Sequence, residues 1–330
     1  MTYPLGWPLL PQFRVKRERW PGKYRTKGIP LVYPGQEVVP DQLVLRLEQD
    51  EQAMPTREGK VANPDHQPSA SPASQPQILQ ENVPAGLRGR VVGFTPRGGV
   101  VIESKVAVLQ GVVGSGIQVA GVVTPWSGNS ETDTMPSIPP GAILVVPGPL
   151  SLLLLRQAIN SGVVGIVASS ISLPDLEGFL RTDYLQMVYA DDMELVQSGF
   201  APITLLCTEG IGVLPMSPRT WQMLQHYAGS IALLSGATSL RYSIFPELLI
   251  SLSLAETPQN WQPVQPDTSL ALGVLVRICS GRYAGVIGFI DYFFVYEQSF
   301  SSGVRAQAVR VRMEDGTFCV VPLLSVERIA

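Results

Sequence analysis

The densest chemistry in the chain lies in Ser169 and in the run Thr208-Glu209-Gly210. Each follows a stretch of apolar residues, so each can stand at the carboxyl end of a strand, where open α/β sheets gather ligands. A hydroxyl, a carboxylate and a flexible glycine together can hold a small polar ligand or move a proton. The same residue types also populate ordinary turns, and a turn or helix-capping carboxylate is the competing account of Glu209. Asp191-Asp192 with Glu194 can attract a hard cation, but the three acids lack an EF-hand layout and fit a solvated turn. Neither GxGxxG nor GxxxxGK[ST] occurs, so no glycine-rich phosphate cradle is indicated.

Other chemistries are excluded by what the inventory lacks. His66 sits in a polar stretch and His226 in a predicted helix. One histidine in the folded part supports neither a Ser-His-Asp triad nor a histidine metal site. The three cysteines, Cys207, Cys279 and Cys319, show no CxxC spacing and each lies in an apolar run. They read as free thiols in a reducing, cytoplasmic setting. No catalytic residue, metal or cofactor is assigned. The longest apolar stretch, Gly141 to Leu155, is broken by Pro147 and Pro149 and is too short to span a bilayer. Basic residues follow the short apolar start at Leu5 to Leu10, the reverse of a signal peptide.

Charge is distributed unevenly. Arg14, Lys16, Arg17, Arg19, Lys23, Arg25 and Lys27 against Glu18 give residues 1–30 a net +6, which leaves −9 for the rest of a chain whose total is −3. Phe13, Trp20 and Tyr24 interleave with these cations, a pattern that can neutralise phosphates and stack on bases. Frequent prolines (Pro4, Pro8, Pro11, Pro21) predict an extended arm instead of a helix. Docking on the acidic body of its own chain, or plain solvation, is weighed above nucleic acid for this arm.

These residues need elements to position them. Charged residues are only 15% of the 330, while glycine (31) and proline (29) abound, which favours short strands and tight turns over helical bundles. The expected organisation is a basic arm at 1–28; a β-rich module at 29–48 and 78–125, split by a Pro/Gln/Ser-rich linker at 49–77; an α/β domain at 126–255; a linker at 256–269; and a β barrel at 270–330. In the α/β domain, Ala142 to Val146, Val163 to Ala168 and Ile203 to Cys207 read as buried strands, Ser151 to Asn160 as a helix, and a second helix starts at Ser217-Pro218. The fold class is thus multi-domain, β-rich plus α/β.

Two resemblances follow. The stretch GVLVRICSGRYAGVIGFI, with Gly281, Gly285 and Gly288 at fixed spacing after a strand, resembles the KOW motif of SH3-like barrels in transcription-elongation and ribosomal proteins. It implies contacts with RNA, ribosomal surfaces or RNA polymerase, with Arg277, Arg282 and Tyr283 as contact residues. The arginines of this module are nearly balanced by acids, unlike the basic patch of a nucleic-acid reader. Tyr292-Phe293-Phe294-Val295-Tyr296 reads as half-buried strand aromatics or a protein-contact surface. Secondly, PGQEVVPDQLVLRLE and VPAGLRGRVVGFTPRGGVVIE resemble the half-motifs of a barrel-sandwich hybrid, the lipoyl and biotinyl carrier fold. Where carriers present a lysine on a hairpin tip, this chain has the linker, with Lys60 inside it and Lys105 in a strand-like run. The resulting expectation is a non-enzymatic multi-module binding or scaffold protein, with protein partners weighed above RNA or polymerase. An enzyme or small-ligand sensor centred on Ser169, Thr208 and Glu209, and a carrier-like protein, are the alternatives.

Overall fold

The computed structural model describes residues 9–22, 26–50, 78–126, 139–190, 203–258, 260–264 and 269–328. Lys23, Arg25, Lys60, His66, the Asp191-Asp192-Glu194 cluster and most of the 49–77 linker lie outside these residues. The chain is β-rich with few helices, built on one large mixed sheet and several small ones.

Alternation of apolar and charged residues draws the N-terminal basic segment into that sheet as strand β1 (Leu9–Arg19), so this extended segment is docked on its own chain. Then come β2 (Thr26–Pro30), the short β3 (Glu37–Val38), β4 (Leu43–Asp50), β5 (Ile78–Pro84), β6 (Gly89–Phe94) and β7 (Val100–Gln110). Strands β2, β4 and β5 form a separate antiparallel sheet. Strand β7 is the spine of the molecule. One of its edges pairs with β1 along nearly its whole length, while the other carries β6 at Val100–Glu103 and a later strand at Val106–Gln110.

That later strand is β14 (Glu247–Ser251), which the sequence reading had not singled out. Between them lie β8 (Val113–Ser115), β9 (Val119–Pro125), β10 (Ala142–Val146), β11 (Gly165–Ile171), β12 (Thr204–Ile211) and β13 (Ile231–Ser235). Strands β9 to β12 are mutually parallel; β13 and β14 return antiparallel and join them to β7. The sheet therefore runs unbroken through the boundary expected at 125/126. Among the described residues its eleven strands are ordered β3-β6-β7-β14-β13-β9-β10-β11-β12-β8, with β1 on the outer edge of β7.

Both faces are covered, which explains why β10 and β11 are buried at every residue. Helices α1 (Leu152–Asn160), α2 (Leu173–Leu180) and α3 (Tyr184–Val188) cover β10 to β12 on one face, burying Leu155, Phe179 and Tyr184 against Leu144 and Ile166. Further along that face the small sheet packs Leu45, Leu47 and Val83 over Ile102, Val108 and Leu249. Helix α4 (Pro218–His226) covers the opposite face through Leu224. Its Ser217 hydroxyl accepts from the Thr220 amide and Pro218 fills the first turn, as the sequence predicted.

The last sheet is built from β15 (Leu275–Ile278), β16 (Ile287–Phe293), β19 (Ala308–Met313), β20 (Phe318–Pro322) and β21 (Val326–Arg328), with a small hairpin of β17 (Gln298–Ser299) and β18 (Arg305–Ala306) inserted. It is an antiparallel meander whose final strand returns beside the first, in the order β20-β19-β16-β15-β21. Val276, Ile278, Ile290, Val309 and Val311 fill its core. Gly281 and Gly285 adopt φ of +80° and +86°, open to glycine at little cost. At Gly288 a Cβ would lie 2.5 Å from the Arg312 carbonyl oxygen, so the close approach of β16 and β19 requires a glycine. Among the described residues no helix is long and apolar enough to cross a membrane.

Candidate functional site

Thr208, Glu209 and Gly210 do not form a free loop. They continue strand β12, where a register shift against Ala168–Ser170 displaces the pattern and turns Glu209 toward the C-terminal sheet. Ser169 and Thr208 are buried. The Thr208 hydroxyl makes long contacts, 3.5 Å, to the Ala168 and Ser169 carbonyls, and the Ser169 hydroxyl is buried without a partner.

Glu209 instead meets Arg277. The Arg277 Nη1 donates to Glu209 Oε2 at 2.8 Å, and its Nε and Nη2 both reach Glu327 Oε1. Residues Arg277 and Glu327 are directly opposed on β15 and β21, whereas Glu209 comes from the body. Burial raises the Glu209 pKa above its ordinary value; Arg277, the Ser217 amide and the Thr208 hydroxyl act against that rise. Burial works to lower the Arg277 pKa, yet Glu327 and Glu209 outweigh it and the net direction is upward. Arg277 is thus locked between carboxylates and is not offered to a phosphate in solution.

The three charges line a cleft of about 260 Å³ between the body and the C-terminal sheet. Val112, Leu214, Phe245, Ile278 and Ala284 supply apolar walls, and Gln110, Gly111, Cys279 and Gly285 complete it. Cys279 lies at the surface, but desolvation and the neighbouring Glu327 push its pKa up to about 12, so it is a thiol at neutral pH and a poor nucleophile. Sequence spacing brought Glu209, Arg277 and Gly285 to attention separately; Glu327, Gln110 and Phe245 carried no signal, because their meeting depends on contacts between distant strands.

The basic segment divides by strand alternation. Arg17 and Arg19 turn inward: Arg17 forms a paired bond with Glu247 at 2.7 and 3.0 Å, and Arg19 is buried, donating to the Pro84 carbonyl and the Gln118 side chain. Arg14 and Lys16 turn outward, opposite Lys105 and Glu103, and Glu103 faces Arg90 in turn. Arg14, Arg88, Arg90 and Lys105 line a shallow cleft of about 330 Å³, with Glu37 and Glu103 as its acids. The Trp261 ring lies under Arg14 and Lys105, 5.9 and 4.8 Å from their charged groups. Lys105 is therefore held within a sheet and not on a hairpin tip. Lys27 is exposed on β2.

The outer face of the C-terminal sheet carries two cross-strand rows, Phe289-Arg312-Phe318 and Tyr292-Arg310-Val320. The apolar members of both rows are 40–52% exposed. Arg310 lies over the Tyr292 and Phe318 rings and donates to Asp291 at 2.7 Å. Val295 and Tyr296, beyond β16, are also exposed. Arg282 stands over Tyr283 at 5.7 Å on the glycine bend, away from these rows along the chain. Among the described residues no group of three or more His, Cys, Asp or Glu is placed to hold a metal ion. In comparison with known proteins, no family model and no curated sequence matches this chain.

Proposed function

We propose that this protein is a non-enzymatic scaffold that binds a protein partner through the outer face of its C-terminal sheet. The observation that carries this reading is the exposed pair of rows, Phe289-Arg312-Phe318 and Tyr292-Arg310-Val320. Aromatic and arginine side chains supply most of the energy in protein interfaces, and here they sit on rigid strands. The meander order agrees with the SH3-like layout implied by the KOW-like glycines, and that resemblance suggests a partner in the transcription or translation machinery. Three free cysteines suit a reducing, cytoplasmic location. The outward cations of β1, β6 and β7 give the body a second surface, suited to an acidic stretch of the same assembly.

The test is affinity purification from the native host with tagged wild-type protein and a Phe289→Ser/Phe318→Ser variant, quantified by mass spectrometry with and without ribonuclease. A specific partner should fall about tenfold or more on the variant, as loss of interface anchors requires, and should survive ribonuclease. Equal recovery on both baits removes the proposed surface. Loss of the partner on ribonuclease treatment replaces the protein reading with an RNA one.

A further inference from the structure

The cleft between the body and the C-terminal sheet holds an uneven set of charges. Two carboxylates, Glu209 and Glu327, meet one guanidinium, Arg277. The Glu209 side chain is only 5% exposed, and while its Oε2 takes the arginine bond, its Oε1 is buried without a close hydrogen bond, the Ser217 amide and the Thr208 hydroxyl being the other donors near the carboxylate. A buried carboxylate oxygen in that state retains its desolvation penalty. Around it the cleft walls are apolar, with Leu214, Phe245 and Ile278 inside and the exposed Val112 and Cys279 at the edge.

A ligand that completes this site must bring an N–H donor, a positive charge and an apolar surface. An anion is unsuited, because Arg277 already serves two carboxylates. A hard metal ion is unsuited too, because the cleft offers it too few oxygen ligands among the described residues. We propose that the cleft binds a small organic cation, a primary ammonium or guanidinium on a short apolar chain, with its N–H on Glu209 and its chain along Leu214 and Phe245. Glu209, Leu214 and Phe245 belong to the body, while Arg277, Ile278 and Glu327 close the cleft from the C-terminal sheet. The site is independent of the proposed partner face, so either can fail alone.

Calorimetry and thermal melting with n-butylammonium and n-butylguanidinium, against butan-1-ol and butyrate, test it on the full chain. Both cations should bind and raise the melting temperature, with the alcohol and the carboxylate inactive. Glu209→Gln should weaken cation binding at least about tenfold, the loss of a charge-assisted hydrogen bond. Ala284→Leu, which fills the cleft and leaves all three charges, should abolish binding even if Glu209→Gln folds poorly. The Phe289→Ser/Phe318→Ser variant should bind the cations unchanged. Absence of binding, equal stabilisation by butan-1-ol, or unchanged affinity in a folded Glu209→Gln or Ala284→Leu variant overturns the proposal.

Discussion

Arg277 joins the C-terminal sheet to a strand of the body through Glu209 while pairing with Glu327 inside its own sheet. Removing it leaves both acids facing each other without their shared cation. Arg277→Met should therefore destabilise the protein by about 3 kcal/mol or more, the usual loss when one partner of a buried pair is deleted. Urea unfolding measures this, and adding Glu209→Gln should recover part of the loss. Glu209 itself sets a pH dependence. Its folded pKa stands above the ordinary 4.5, so the native state holds that proton more tightly than the unfolded chain does. Stability should fall as pH rises from about 4.5 through the raised value, and Glu209→Gln should remove that part of the slope. Urea midpoints for the two proteins across this range give the comparison. An unchanged slope would mean that the carboxylate is well compensated by Arg277 alone.

Among the elements, the clearest prediction concerns β16. Gly288→Ala would press a methyl group against the Arg312 carbonyl, backbone that cannot rotate aside, and should cost about 1–3 kcal/mol. Thermal melting reports it, and an unaltered melting temperature would mean that β16 and β19 separate more easily than their spacing implies. Elements governed by local patterning were legible in the sequence: β10, α1 with its Ser151 cap, α4 with Ser217-Pro218, and the glycine bend before β16. Less local features were hidden. The prolines around β1 pointed to an extended segment, docked on its own chain or solvated, and gave no sign of the register in which its alternating residues pair with β7. The Thr208–Gly210 segment carries loop residues but lies within β12, because the register shift absorbs them into the sheet. The Arg277–Glu209 contact spans 68 residues of sequence, and no spacing rule reaches that far.

At the scale of the whole molecule, the outward cations Arg14, Lys16, Arg90 and Lys105 share one face of β1, β6 and β7, and Arg88, just before β6, lines the same cleft. Weak, salt-sensitive retention on heparin should follow, since each phosphate or sulfate contact releases counterions. Arg14→Ala/Lys16→Ala/Arg90→Ala should elute at distinctly lower salt, and an unshifted elution would mean that Glu37 and Glu103 neutralise the face. The branched pairing of β7 has a consequence for how the chain is made. Residues 100–110 leave the ribosome long before residues 247–251, which cover the second half of their inner edge. During that interval Val106–Leu109 presents an open, apolar strand edge of the kind that pairs with other chains. Synthesis, more than the finished fold, is then the stage at which this protein is exposed to misassembly. Slowing translation between β9 and β14 should increase its aggregation, and supplying a holdase chaperone over that interval should reverse it.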